Sequence, residues 1–123
     1  MRTILVVEDD ADLRQMFRTG LAFAGFRVLE AGDGFRALQL LDADPPDLVV
    51  LDLGLPVVSG QIVRQELAAQ AHTRHIPIIV VTASRGPHEG LDVACILYKP
   101  VTTEQLIETI RRCLATAVPP AAT

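Results

Sequence analysis

The stretch ILVVEDD at residues 4–10 sets four apolar residues directly against three acids. Ile4 to Val7 is short, rich in β-branched side chains and free of apolar/polar alternation, which describes a strand covered on both faces. The same pattern recurs at Leu48 to Leu51, Ile76 to Val81 and Cys95 to Tyr98, and at Phe26 to Leu29, where Arg27 interrupts it and suggests an edge. Between these runs the apolar spacing lengthens to that of a helix. Leu13, Met16, Phe17, Leu21 and Ala24 share one face, with Gly25 as C-cap. Phe35, Leu38 and Leu41 precede a stop at Pro45 and Pro46, and Val63 and Leu67 mark a third helix. A last helix opens at Thr102, with Gln105 as capping-box partner, and buries Leu106, Ile110 and Leu114. Strand and helix alternating from end to end specify an α/β fold. The expected architecture is a doubly wound, five-stranded parallel sheet flanked by helices, with its ligand site at the carboxyl ends of the strands.

A chain of 123 residues suits one domain. Its expected extent is residues 1–116, with 117–123, which include Pro119 and Pro120, as a C-terminal tail or the start of a linker. Half of the residues are hydrophobic and 21% are charged, a balance that supports a packed core. The net charge of −4 argues against direct nucleic-acid binding, which needs clustered Lys and Arg. Ile4 to Val7 is too short for a signal peptide, and no apolar run approaches a membrane span. The expectation is a cytoplasmic protein with no membrane insertion and with Cys95 and Cys113 reduced.

In such a fold Glu8 and Asp9 follow the first strand, Asp52 the third, Thr82 the fourth and Lys99 the fifth, so all five converge on one rim. Crowded carboxylates need protons or a cation. Hard oxygen ligands suit Mg²⁺ or Mn²⁺. A carboxylate can also be the nucleophile in phosphoryl transfer, and Asp52 is the central candidate. Lys99 would then supply charge and Thr82 a hydrogen bond to the phosphoryl oxygens. Asp10 and Asp12 are read as caps of the first helix, and His72 and His75 as surface residues without zinc-site companions.

Four blocks, VVEDD (6–10), LDLGLPVVSG (51–60), VTA (81–83) and YKP (98–100), resemble the signatures of bacterial two-component response regulator receiver domains. They occur in the right order, each at a strand end, and the resemblance runs from Thr3 to about Leu114. It implies a flavodoxin-like fold of strand order 2-1-3-4-5, for which a chemotaxis receiver is the standing example. It further implies Asp52 as phosphoacceptor. A metal would be served by Glu8, Asp9, Asp52 and the Gly54 carbonyl; Thr82, Ala83 and Lys99 would serve the phosphate, and the peptide before Pro100 would be cis. Pro56 and Gly60 fall where the family places them. The implied partners are a sensor histidine kinase or phosphotransfer protein and a downstream effector. The chain would be a signalling module, not an enzyme, although it catalyses its own phosphorylation and dephosphorylation.

Two departures stand out. Only Ser84 to Val93 is left for the fourth crossover, so its helix is expected to be shortened or missing. The family's aromatic switch position falls on Ile96, and Tyr98 is read as facing away from it. Retained chemistry with a remodelled output face follows as the leading reading. With no side chain on Gly54, and Ser84 small, a short-lived phosphoryl group is expected. The alternative is a phosphorylation-independent scaffold. A phosphatase of the haloacid dehalogenase type lacks support, because Asp52-Leu53-Gly54-Leu55-Pro56 has no second Asp.

Overall fold

The computed structural model describes residues 1–55, 59–83 and 93–116. Along the chain come β1 (Thr3–Val7), α1 (Ala11–Phe23), β2 (Arg27–Ala31), α2 (Gly34–Ala43), β3 (Leu48–Leu51), α3 (Gly60–Ala69), β4 (Ile78–Thr82), β5 (Cys95–Tyr98) and α4 (Thr103–Thr116). The strands form one parallel sheet in the order β2-β1-β3-β4-β5. Among the described residues there are four helices. Residues 84–92, where a shortened or missing crossover helix is expected, lie outside the described residues, as do Pro56 and 117–123.

Helices on both faces explain the absence of alternation in the central strands. Ile4, Val6, Leu48, Val50, Ile79 and Val81 pack with Phe17 and Leu21 of α1 and with Leu106 and Ile110 of α4. Leu5, Val7, Val49, Leu51 and Val80 pack with Ala37 and Leu41 of α2 and with Val63 and Leu67 of α3. β1, β3 and β4 are buried throughout, whereas the edge strand β2 keeps partial exposure.

Side-chain caps fix where the helices begin, and therefore how the strand ends are framed. Asp10 accepts from the amides of Asp12 and Leu13 at the start of α1. Asp33 caps α2 and Ser59 caps α3. Thr102 and Gln105 bond reciprocally: Thr102 N donates to Gln105 Oε1 at 2.9 Å and Gln105 N to Thr102 Oγ1 at 3.1 Å. Gly25, with φ of 97°, follows α1 in the left-handed conformation that ends a helix.

Three expectations about side-chain direction are corrected. Met16 is 44% exposed and Phe35 58% exposed. The buried stripe of α1 is centred on Phe17 and Leu21, one helical turn apart, and that of α2 on Gly34, Ala37 and Leu41. Met16 and Phe35 each sit one residue, about 100° of helix, away from those stripes. Tyr98 does not face away from Ile96. Cys95 and Leu97 pack into the α1/α4 side of the core and Ile96 into the α2/α3 side. Tyr98, two positions beyond Ile96, therefore shares its face by strand alternation.

Candidate functional site

β1 and β3 end side by side, with Val7 in register with Leu51 and Asp52 N donating to Val7 O at 3.1 Å. Their next residues are acids, so Glu8, Asp9 and Asp52 each offer a carboxylate oxygen within 4.8 Å of one another. Glu8 and Asp52 are buried and Asp9 is exposed, giving a closed floor and an open side. Lys99 reaches across from the end of β5, its Nζ 2.6 Å from Glu8 Oε1 and 3.4 Å from Asp52 Oδ2.

The second carboxylate oxygens of Asp52 and Glu8 meet backbone amides. Asp52 Oδ1 accepts from Gly54 N at 2.9 Å and Glu8 Oε2 from Asp10 N at 3.2 Å. Thr82 is buried at the end of β4, followed by Ala83, and its carbonyl accepts from Lys99 N at 2.9 Å. The Lys99–Pro100 peptide is cis. Behind the site α3 starts against the Asp52 backbone. A Cβ on Gly60 would press on the Asp52 carbonyl oxygen and lie 2.6 Å from Leu53 Cα, so the approach demands glycine.

Burial dominates the electrostatics of Glu8. It pushes the Glu8 pKa from 4.5 up to about 7, opposed by the Lys99 hydrogen bond and reinforced by the charge of Asp52. For Lys99, burial works against the charge, but the Glu8 hydrogen bond and the Asp52 charge outweigh it and raise the pKa. Three hard oxygen donors clustered on a partly buried floor suit a divalent cation such as Mg²⁺ or Mn²⁺.

The structure brings together Glu8, Asp9, Asp52 and Lys99, with Gly54 bonded to Asp52 and Thr82 bonded to Lys99. Ile96 stands apart, partly buried against the α2/α3 side of the core. Two features escaped the sequence reading. One is the close Lys99–Glu8 pair, whose only signal is that glutamate is one methylene longer than aspartate. The other is Arg14, whose Nη1 donates to the Glu8 carbonyl at 2.8 Å. A long basic side chain on the first turn of a helix that leaves a strand end was the available clue.

A five-stranded 2-1-3-4-5 sheet with acids and a lysine gathered at its strand ends defines a class, the flavodoxin-like α/β fold with a charged site at the carboxyl edge of its sheet. Residues 4–111 match the response regulator receiver domain, and the chain belongs to that family. It is 34% identical over 121 residues to the polar-differentiation response regulator DivK of Brucella ovis, covering 94% of this chain and 98% of that protein. Among solved structures it is similar to the chemotaxis response regulator CheY4 of Vibrio cholerae, with a TM-score of 0.84, 28% identity and coverage of 91% and 98% of the two chains. It also resembles a sensor protein from Polaromonas sp. JS666, with a TM-score of 0.86, 26% identity and coverage of 95% and 98%.

Proposed function

We propose that this receiver domain takes a phosphoryl group onto Asp52 from a phosphorylated histidine of a sensor kinase or phosphotransfer protein, and that the modification shifts its affinity for a downstream partner. One observation carries the reading: Asp52 is buried at 7% exposure within reach of Lys99 and shares its cluster with Glu8 and Asp9. A carboxylate oxygen of Asp52 attacks phosphorus, the P–N bond breaks, and its electron pair leaves with the imidazole of the donor. Lys99, the Thr82 hydroxyl and the Ala83 amide would hold the phosphoryl oxygens. Bound by Glu8, Asp9, Asp52 and the Gly54 carbonyl, Mg²⁺ or Mn²⁺ would neutralise charge on the transferring group. We further propose that the unit spans residues 1–116, works in the cytoplasm and is a switch rather than a turnover enzyme. Among the described residues no helix is long and apolar enough to cross a membrane.

Incubation with MgCl₂ and acetyl phosphate, followed by intact-mass measurement, tests the reading. The wild-type protein is expected to gain one phosphoryl group and Asp52→Asn none. A scaffold that has lost the switch is the competing reading, favoured by aliphatic Ile96 at the position where the family has an aromatic residue. It predicts no mass gain in either protein.

A further inference from the structure

Arg14 is tied into the site in a way that the chemistry assigned so far does not use. From the first turn of α1 its Nη1 donates to the Glu8 carbonyl at 2.8 Å, while the Glu8 amide donates to Ala31 O at 3.0 Å. Both polar groups of the Glu8 backbone are therefore held. The guanidinium is itself anchored, since Arg14 Nε lies 3.5 Å from Glu30 Oε1, while the other oxygen of that carboxylate, Oε2, is 3.2 Å from Arg18 Nε, which makes no contact with Glu8. The Arg14 side chain is 23% exposed against 55% for Arg18, so it is seated against the protein rather than waving in solvent. Gly32 leaves room for it: a Cβ there would stand 3.2 Å from Arg14 Nη1.

The carbonyl that Arg14 holds belongs to the peptide joining Glu8 to Asp9. Because a peptide is planar, fixing that oxygen restricts ψ of Glu8 and φ of Asp9, and with them the direction of both carboxylates. That peptide also carries the backbone of Asp9, whose exposed carboxylate has an oxygen within 4.8 Å of those of Glu8 and Asp52. We propose that Arg14 is a positioning residue for the acidic site, holding the Glu8–Asp9 peptide so that both carboxylates face Asp52, with Glu30 as the anchor of Arg14. This inference rests on the reading of the cluster as a Mg²⁺ site. It assigns Arg14 the part that outer-shell partners play at metal centres, where their loss commonly costs about 10- to 100-fold in affinity.

The test is an amide and carbonyl NMR titration of the full chain with MgCl₂ at constant ionic strength. Arg14→Ala is expected to shift the Glu8 carbonyl ¹³C and Asp9 amide ¹⁵N resonances before any metal is added, and to weaken Mg²⁺ binding about tenfold. Arg14→Lys, which retains a donor and the charge facing Glu30, should recover part of that loss and guards against a misfolded alanine variant. Arg18→Ala, which touches Glu30 but not Glu8, should bind Mg²⁺ within about twofold of wild type. Unchanged Glu8 and Asp9 resonances with wild-type Mg²⁺ affinity in Arg14→Ala overturn the role of Arg14 alone. A wild-type protein whose Glu8, Asp9 and Asp52 resonances ignore Mg²⁺ overturns the metal reading, and the positioning role with it.

Discussion

Lys99 lies closer to Glu8 than to Asp52, with Nζ 2.6 Å from Glu8 Oε1 and 3.4 Å from Asp52 Oδ2. The lysine therefore engages carboxylates that a cation among Glu8, Asp9 and Asp52 would also use. Lys99→Met is expected to slow phosphoryl uptake about 100-fold, the scale of losing one preorganised stabiliser of transition-state charge. Mg²⁺ affinity should hold or rise, because a competitor for Glu8 is gone. Uptake followed by mass and Mg²⁺ binding followed by NMR separate the two effects, and weaker Mg²⁺ binding in the variant contradicts the competition.

The buried Glu8 carboxyl gives stability a pH dependence of definite sign. Its pKa rises from 4.5 to about 7 on folding, chiefly through burial, so the folded state favours the protonated form. That stabilisation is complete below about pH 4.5 and is lost as pH climbs toward about 7. A divalent cation needs the ionised form, so MgCl₂ should raise the thermal midpoint more at about pH 8 than at about pH 5. Equal gains at both pH values would remove Glu8 from the metal site.

Gly60 carries α3 into contact with the backbone of the Asp52 segment, and backbone atoms cannot step aside as a flexible side chain can. Gly60→Ala is expected to cost about 2 kcal/mol, the range of overpacking a fitted contact, and to move the Asp52 amide resonance. Urea unfolding and an amide spectrum read both. A midpoint within error of wild type would mean that α3 is free to slide.

Phe17 and Phe35 make a paired test of the packing. Phe17 is 1% exposed in the α1/α4 side of the core and Phe35 is 58% exposed on α2. Phe17→Ala should cost about 3–5 kcal/mol and Phe35→Ala no more than about 0.5 kcal/mol. Comparable losses at both positions, measured by urea unfolding, would show that α2 turns its other face inward.

The parallel sheet was legible because Ile4 to Val7, Leu48 to Leu51 and Ile76 to Val81 have one reading as buried strands, and the caps at Asp10 and Thr102 announce their helices, whereas the order 2-1-3-4-5 came only through the resemblance of the four sequence blocks to receiver domains. The site was legible as a set because its members directly follow strands, where topology leaves little freedom. Helix rotation was harder to read. Met16 and Phe35 are apolar residues beside the buried stripe, and a sequence pattern cannot choose between neighbours about 100° apart when both are apolar. Partner choice within the site was hidden for a different reason. Whether Lys99 bonds Glu8 or Asp52, and whether Arg14 turns back toward β1, depends on side-chain reach of an ångström or two.

The 2.9 Å bond from Lys99 N to Thr82 O joins the ends of β4 and β5 just where Thr82 is in register with Tyr98. Mechanically, the strand ends that carry Thr82 and Lys99 are tied to each other by main chain, so a displacement of either backbone end would be felt by the other, and β5 runs on from that tie to Ile96 and the exposed Tyr98.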